Sequence, residues 1–129
     1  MYRVDPKTNQ IVTTTALNPE PRFLTSGEGS IWVLNQGDGT VQRIDGKTGE
    51  LLATIEADAA GKGGDIAAGG GFVWVSTILV PVIRIDPNTN SFSGKFKRPF
   101  GVYLGDGIRY GDGSLWISGN SIFRIKPPE

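Results

Sequence analysis

The sequence contains no cysteine and no histidine, and the two absences exclude several kinds of chemistry. Without cysteine there are no disulfides, no thiolate zinc sites and no cysteine nucleophile. The absence does not indicate whether the protein works in an oxidising or a reducing compartment. Without histidine the commonest general base and metal ligand is missing. We therefore expect no catalytic residue, no bound metal and no cofactor in this chain.

Long apolar runs and an excess of one charge are also missing. The longest apolar run, residues 78–83, is interrupted by Pro81 and is much shorter than the ~20 residues of a membrane span. Residues 1–6 show no apolar signal-peptide segment. Lys plus Arg number 13, as do Asp plus Glu, so no basic stripe for nucleic acid is indicated. Neither a membrane nor a nucleic acid is an expected partner.

Glycine is abundant, with 19 residues among 129. That is about twice the usual share of ~7%, and no window shows the 3.6-residue period of an amphipathic helix. The length allows one domain. This composition predicts an all-β domain of short strands joined by tight turns.

Two motifs recur along the whole chain with nearly the same period. Trp32, Trp74 and Trp116 lie 42 residues apart, and each follows a Gly-rich turn inside an apolar segment. The second motif is Arg, an aliphatic residue and usually Asp, and it begins at Arg3, Arg43, Arg84 and Arg124. Two independent motifs with a period of about 40 residues predict a repeat architecture.

Each repeat resolves into four short antiparallel strands, called A to D from the first to the last. Strand B carries the Trp, which we expect to be buried between neighbouring blades. Strand C ends in the Arg motif, whose Asp is expected to accept bonds from turn amides. A left-handed residue, Asn9, Gly49 or Asn90, precedes each strand D. The predicted repeats span 17–56, 57–96 and 97–129, with 1–16 as strands C and D of a further blade.

Four strands per repeat with an aromatic at a fixed place are typical of β-propeller blades. The repeats resemble those of the virginiamycin B lyase-like propellers and their YVTN and NHL relatives, through Gly-x-Gly-Ser-x-Trp-Val and a following Arg-Ile-Asp-Pro-x-Thr-Gly. The resemblance implies a propeller of about three blades. It implies a lyase only where a histidine general base stands near a metal-binding acidic site, and no position here matches that histidine. Related propellers are often exported, which leaves the compartment of this chain open.

Three blades are too few to close a ring, because closed propellers hold about 4 to 8 blades. The chain is therefore either a piece of a longer polypeptide or a protomer of a homo-oligomer. A two-fold dimer would give six blades, and a trimer would give nine. In a dimer the segment 10–15 would supply strand D to the last blade of the neighbouring chain.

Candidate ligand-binding residues lie where propellers usually bind ligands, on the loops and strand starts around the central opening. The connections from strand D to strand A, at 18–22, 57–64 and 97–106, depart from the repeat pattern. Segment 97–103 combines two cations with two aromatics, which suits a small anionic or aromatic ligand. Ordinary solvated loops are the competing interpretation. The candidates are Arg22, Lys62, Asp65, Arg98, Tyr103, Asp106 and Arg109.

Two further patterns have both a functional and a structural interpretation. The Gly-Asp-Gly triplets at 37–39, 105–107 and 111–113 could bind Ca²⁺ or Mg²⁺, but the alternating Asp of a calcium loop is missing, so hairpin turns are favoured. The arginines of strand C could form an anion ring. Their distance from the axis favours a structural role, in which each pairs with the next Asp.

Two functional classes remain. The first is a non-catalytic propeller module that acts as a binding or assembly scaffold, with a small ligand at the central opening. The second is a fragment of a virginiamycin B lyase-like or lactonase-like enzyme. The missing histidine and the blade number favour the first.

Overall fold

The computed structural model describes residues 1–61, 63–78, 80, 82–96 and 104–129. The elements in these ranges are thirteen short β-strands, as the glycine-rich composition predicts. Their bounds are β1 Tyr2–Asp5, β2 Gln10–Thr14, β3 Pro21–Gly27, β4 Ser30–Asn35, β5 Thr40–Ile44, β6 Leu51–Glu56, β7 Asp65–Gly69, β8 Phe72–Ser76, β9 Val82–Asp86, β10 Ser91–Phe96, β11 Leu104–Gly111, β12 Ser114–Gly119 and β13 Ile122–Ile125.

The strands form four antiparallel sheets that follow the repeats. The first blade is β3-β4-β5-β6, the second is β7-β8-β9-β10, and the third has the three strands β11-β12-β13. Strands β1 and β2 form a two-stranded hairpin. The predicted all-β fold of four-stranded propeller blades is confirmed, and the blades form an arc that this chain does not close. No helix in the described ranges has the length and apolarity to cross a membrane.

The core lies between successive blades. Trp32 on β4 is fully buried in a cluster that includes Ile66, Val75 and Ile85 of the second blade. Trp74 on β8 is fully buried with Ile108 of the third blade in the same way. Burial of each large apolar side chain contributes about 1.5–3 kcal/mol, so the blades stabilise one another through these clusters of one Trp and several aliphatic side chains.

Trp116 does not follow the prediction that all three tryptophans are buried. Its side chain remains 37% exposed. The local geometry is nevertheless the same, because each indole Nε1 donates to the carbonyl of the Gly five residues earlier at 3.0 Å. Trp32 and Trp74 are covered by the blade that follows them, and the described residues contain no blade that covers Trp116 in this way.

The turns between strands C and D agree with the sequence. Asn9, Gly49 and Asn90 have positive φ of 55°, 76° and 52°. The carboxylate of Asp45 accepts the backbone N–H groups of Thr48 and Lys47, and these bonds lower its pKa. Equivalent aspartates cap the other two turns, Asp5 through Lys7 and Asp86 through Asn88.

Two expectations about these patterns are wrong. The Gly-Asp-Gly triplet at 105–107 lies inside β11 rather than in a hairpin turn, because β11 begins already at Leu104. The strand C arginines do not pair with the next Asp. Arg43 and Arg84 instead donate from Nη1 to backbone carbonyls of the following blade, those of Pro87 at 2.7 Å and Pro128 at 2.8 Å.

Candidate functional site

Two of the candidate residues form an ion pair on neighbouring innermost strands. Asp65 begins β7, and its side chain is 13% exposed; Arg109 lies on β11, with a side chain 71% exposed. Arg109 Nη1 donates to Asp65 Oδ2 and to the carbonyl of Ile108. The carboxylate also accepts the backbone N–H of Ile108 at 3.1 Å and that of Ile66 at 2.8 Å. Three donors therefore hold this carboxylate in place.

The pair borders a cleft of about 270 Å³ that is lined mainly by residues of the third blade. Its lining residues are Asp65, Gly107, Ile108, Arg109, Trp116, Ile117, Ser118 and Ile122. Within the described residues, neither Nε nor Nη2 of Arg109 has an acceptor. A cation with free donors thus stands beside a mainly apolar wall.

The structure does not bring all candidates to this cleft. Arg22 lines a separate cleft of about 290 Å³ on the first blade, with Tyr2, Phe23 and Leu24 among its neighbours. Lys62, Arg98 and Tyr103 lie outside the described residues, and so does the side chain of Asp106.

Sequence reasoning did not name the apolar side of the cleft. Trp116 and Ile122 were assigned to the core or to an ordinary strand, yet both are exposed here. The signal that could have identified them is their place in the third repeat, because the described residues contain no later blade that covers this face.

A second polar cluster lies at the turn between β4 and β5 in the first blade. Asn35 and Gln42 are buried, and Asn35 Nδ2 donates to Gln42 Oε1 at 3.1 Å and to Thr40 Oγ1 at 3.0 Å. Asn18 reaches the same cluster by donating its backbone N–H to Gln42 Oε1 at 2.9 Å. The cluster fixes the chain between β2 and β3 against the first blade.

Asp38 closes this cluster at its solvent side. Burial opposes the charged form, but hydrogen bonds from Thr40 and from Asn18 outweigh it and lower the pKa of the carboxyl group. Thr40 Oγ1 donates to Asp38 Oδ1 at 2.8 Å, and Asn18 Nδ2 donates to Asp38 Oδ2 at 2.7 Å. The residue therefore stabilises a turn, as its place in a Gly-Asp-Gly triplet predicts.

The carboxylates of the described residues are dispersed. Within those ranges no three acidic side chains come close enough to hold one metal ion. Both carboxylate oxygens of Asp38 and of Asp65 accept hydrogen bonds from neighbouring donors.

No protein-family model matches the sequence, and no curated protein matches it. Solved structures do. Virginiamycin B lyase from Staphylococcus aureus superposes with a TM-score of 0.72 and 26% identity, over 93% of this chain and 43% of that one. A catalytically inactive histidine-to-alanine variant of the same lyase, with quinupristin, gives a TM-score of 0.67 and 23% identity over 95% and 47%.

Hydrazine synthase from Kuenenia stuttgartiensis is also similar, with a TM-score of 0.62 and 18% identity over 84% of this chain and 32% of that one. At that identity the likeness concerns the fold alone. The chain spans less than half the length of these structures. The resemblance to virginiamycin B lyase-like propellers, first indicated by the repeats, is thereby confirmed at the level of structure.

Proposed function

We propose that this chain is a non-catalytic propeller module that binds a small ligand carrying an anionic group next to an apolar group. The observation that supports this is the exposed Arg109 guanidinium, held by Asp65 at the edge of an apolar cleft. Because Nη1 is already bonded, Nε and Nη2 remain as donors, and guanidinium groups bind planar or tetrahedral anions with such pairs of donors.

The apolar part of the ligand would contact Trp116 and Ile122. Both are exposed at the cleft, Trp116 at 37% and Ile122 at 69%. A volume of about 270 Å³ lies just below the usual size range of small-molecule sites, ~300–1,000 Å³, which favours a compact ligand.

The same geometry argues against acid-base catalysis at this cleft. A general base needs a free lone pair within reach of the proton that it removes. Three of the roughly four lone-pair sites of the Asp65 carboxylate already accept hydrogen bonds, one of them from the guanidinium, and the chain contains no histidine to act instead.

The proposal is tested with a pair of fluorescent probes, 1-anilinonaphthalene-8-sulfonate and its neutral parent N-phenyl-1-naphthylamine. We expect Arg109→Gln to weaken binding of the sulfonate by about tenfold, roughly the loss of one charge-assisted bond, and to leave the neutral probe unaffected. Arg3→Gln, on the exposed strand β1, is the matched control and should change neither. Equal weakening of both probes, or no effect of Arg109→Gln, would contradict the proposal.

A second candidate is a part of a virginiamycin B lyase-like enzyme. The 26% identity over 93% of this chain favours it. It is tested by incubating the purified chain with quinupristin, the compound present with the inactive lyase variant, and following the mass of the compound. We expect no conversion, because a variant of that lyase lacking one histidine is inactive and this chain has none. Conversion would overturn the non-catalytic proposal.

A further inference from the structure

The two ends of the arc carry exposed apolar side chains that correspond to the two sides of the internal junctions. On the third blade, the end face contains Trp116 and Ile122. On the first blade, the opposite end face contains Leu24, which is 61% exposed. We propose that the Trp116 face of one chain is covered by the Leu24 face of a second copy of this chain.

The positions match because the blades are repeats. Leu24 pairs with Val33 across strands A and B, in the same way that Ile66 pairs with Val75 and Ile108 with Ile117. Ile66 is buried in the cluster of Trp32, and Ile108 in that of Trp74. Leu24 is thus the repeat equivalent of the side chains that cover the first two tryptophans, and it lacks a tryptophan to cover.

The glycine at the end of each strand A also shows which blade faces are covered and which are not. A Cβ added at Gly27 would lie 2.7 Å from Cβ of Ala68, and one added at Gly69 would collide with the ring of Tyr110. The third glycine of this series, Gly111, has nothing within 4 Å of such a Cβ. The residue equivalent to Ala68 and Tyr110 in the first blade is Ser26, which is exposed.

A polar contact joins the first and second blades, and the third blade carries an equivalent carboxylate. Glu28 Oε1 accepts the backbone N–H of Gly71 in the following blade at 3.0 Å. Asp112 is the residue of the third blade that corresponds to Glu28, and it too has a positive φ, 52° against 46°. In the proposed junction its carboxylate faces the Gly29 turn of the second copy.

Two copies are the smallest number that gives a closed ring, because three blades from each make six. The hairpin β1–β2 lies beside the first blade, where Thr15 Oγ1 donates to the carbonyl of Gly49 at 2.7 Å. In the ring this hairpin falls at the outer edge of the third blade of the other copy. There β2 supplies the missing fourth strand, and β1 competes with β13, which carries the same Arg-aliphatic pair.

Docking covers Trp116 and Ile122, which also line the Arg109 cleft, so the second copy and the ligand of the proposed function compete for the same face. The docking itself does not rest on the proposed function. The experiment for the docking therefore contains no ligand.

Cross-linking tests the junction directly, since the natural chain has no cysteine. Gly111→Cys fits the monomer because its Cβ meets open space, and Ser26→Cys is exposed. We expect a mixture of the two single variants, under oxidation, to form a disulfide between residues 26 and 111, identified by peptide mass spectrometry. The equivalent Cβ positions of the internal junction, at Gly27 and Ala68, lie 2.7 Å apart, within about 1 Å of the ~3.8 Å of a disulfide, so a junction like the internal ones brings the two thiols together.

Lys47→Cys, exposed on the outer turn of the first blade, is the matched control for Ser26→Cys. No more cross-linking in the 26/111 mixture than in the 47/111 mixture would overturn the proposal.

Light scattering gives a second measurement: we expect twice 13.8 kDa for the natural chain and for Leu51→Lys, and 13.8 kDa for Trp116→Lys. A natural chain of monomer mass at micromolar concentration would also overturn it.

Discussion

Trp32, Trp74 and Trp116 donate the same indole hydrogen bond but differ in what covers their rings. The arginine of strand C lies over the ring in the first and third blades, with its guanidinium carbon 5.0 Å from the Trp32 centroid and 5.4 Å from that of Trp116. In the first and third blades the same repeat therefore covers one side of the ring. The other side of the ring is covered by the next blade where there is one. Removing a covered Trp should therefore lower the free energy of unfolding more than removing an exposed one.

We expect Trp74→Ala to reduce the free energy of unfolding by ~3–5 kcal/mol, through lost transfer energy and a cavity. Trp116→Ala should cost less than half as much, because its side chain is already 37% exposed. Both are measured by denaturant unfolding in a Leu24→Lys background, which keeps a second copy from covering Trp116. A loss below about 1 kcal/mol for Trp74→Ala would mean that strand B is wrongly placed.

Asp38 should make stability depend on pH in a defined direction. Its hydrogen bonds lower the pKa below the ordinary 3.8, so the folded state gains stability above that value and loses it as pH falls through the folded pKa. We expect Asp38→Asn to lower the melting temperature near neutral pH and to have little effect in strong acid, where both chains are uncharged at this position. Glu50→Gln, an exposed carboxylate on an outer turn, is the control. A pH-independent difference would contradict this account.

At the scale of strands, the distance between neighbouring strands A is set by glycine. A side chain at Gly69 would collide with the ring of Tyr110, whereas one at Gly111 meets nothing. We expect Gly69→Ala to cost about 1–3 kcal/mol by overpacking and Gly111→Ala to change stability by less than about 0.5 kcal/mol. Thermal unfolding of the two variants in the Leu24→Lys background measures the difference. Equal effects would show that the close approach of β7 and β11 is not limiting.

The strands themselves could be predicted because each one follows the shared period. Strands β2, β6 and β10 begin within two residues of Asn9, Gly49 and Asn90, the left-handed residues that were expected to precede each strand D. Features that differ between repeats could not be predicted from the shared period. Among the described residues the polar cluster of Asn35 and Gln42 occurs only in the first blade, and its contacts depend on Asn18, a loop residue 24 positions from Gln42.

The candidate site shows the same division between shared and individual features. Asp65 and Arg109 were each identified from the sequence, and Arg109 stood out because the other repeats have Thr25 and Ala67 at that position. Their pairing was not predicted, although a separation of 44 residues, close to one repeat, places them on adjacent strands A. The repeat pattern by itself predicts the wrong burial for Trp116, since the same Trp is buried in the other two blades, and only its place in the third repeat indicates the apolar wall.

At the scale of the whole molecule, an arc with two complementary ends should have a stability that depends on protein concentration. Assembly couples to folding by mass action, because a partner that binds only the folded chain stabilises it. For a two-copy ring of this size we expect the melting temperature to rise by roughly 2–4 °C for each tenfold increase in concentration. Calorimetry over a wide concentration range measures this. Trp116→Lys should melt at a temperature independent of concentration, and Leu51→Lys should behave like the natural chain. A natural chain whose melting temperature does not change with concentration would show that its ends are stable without a second copy.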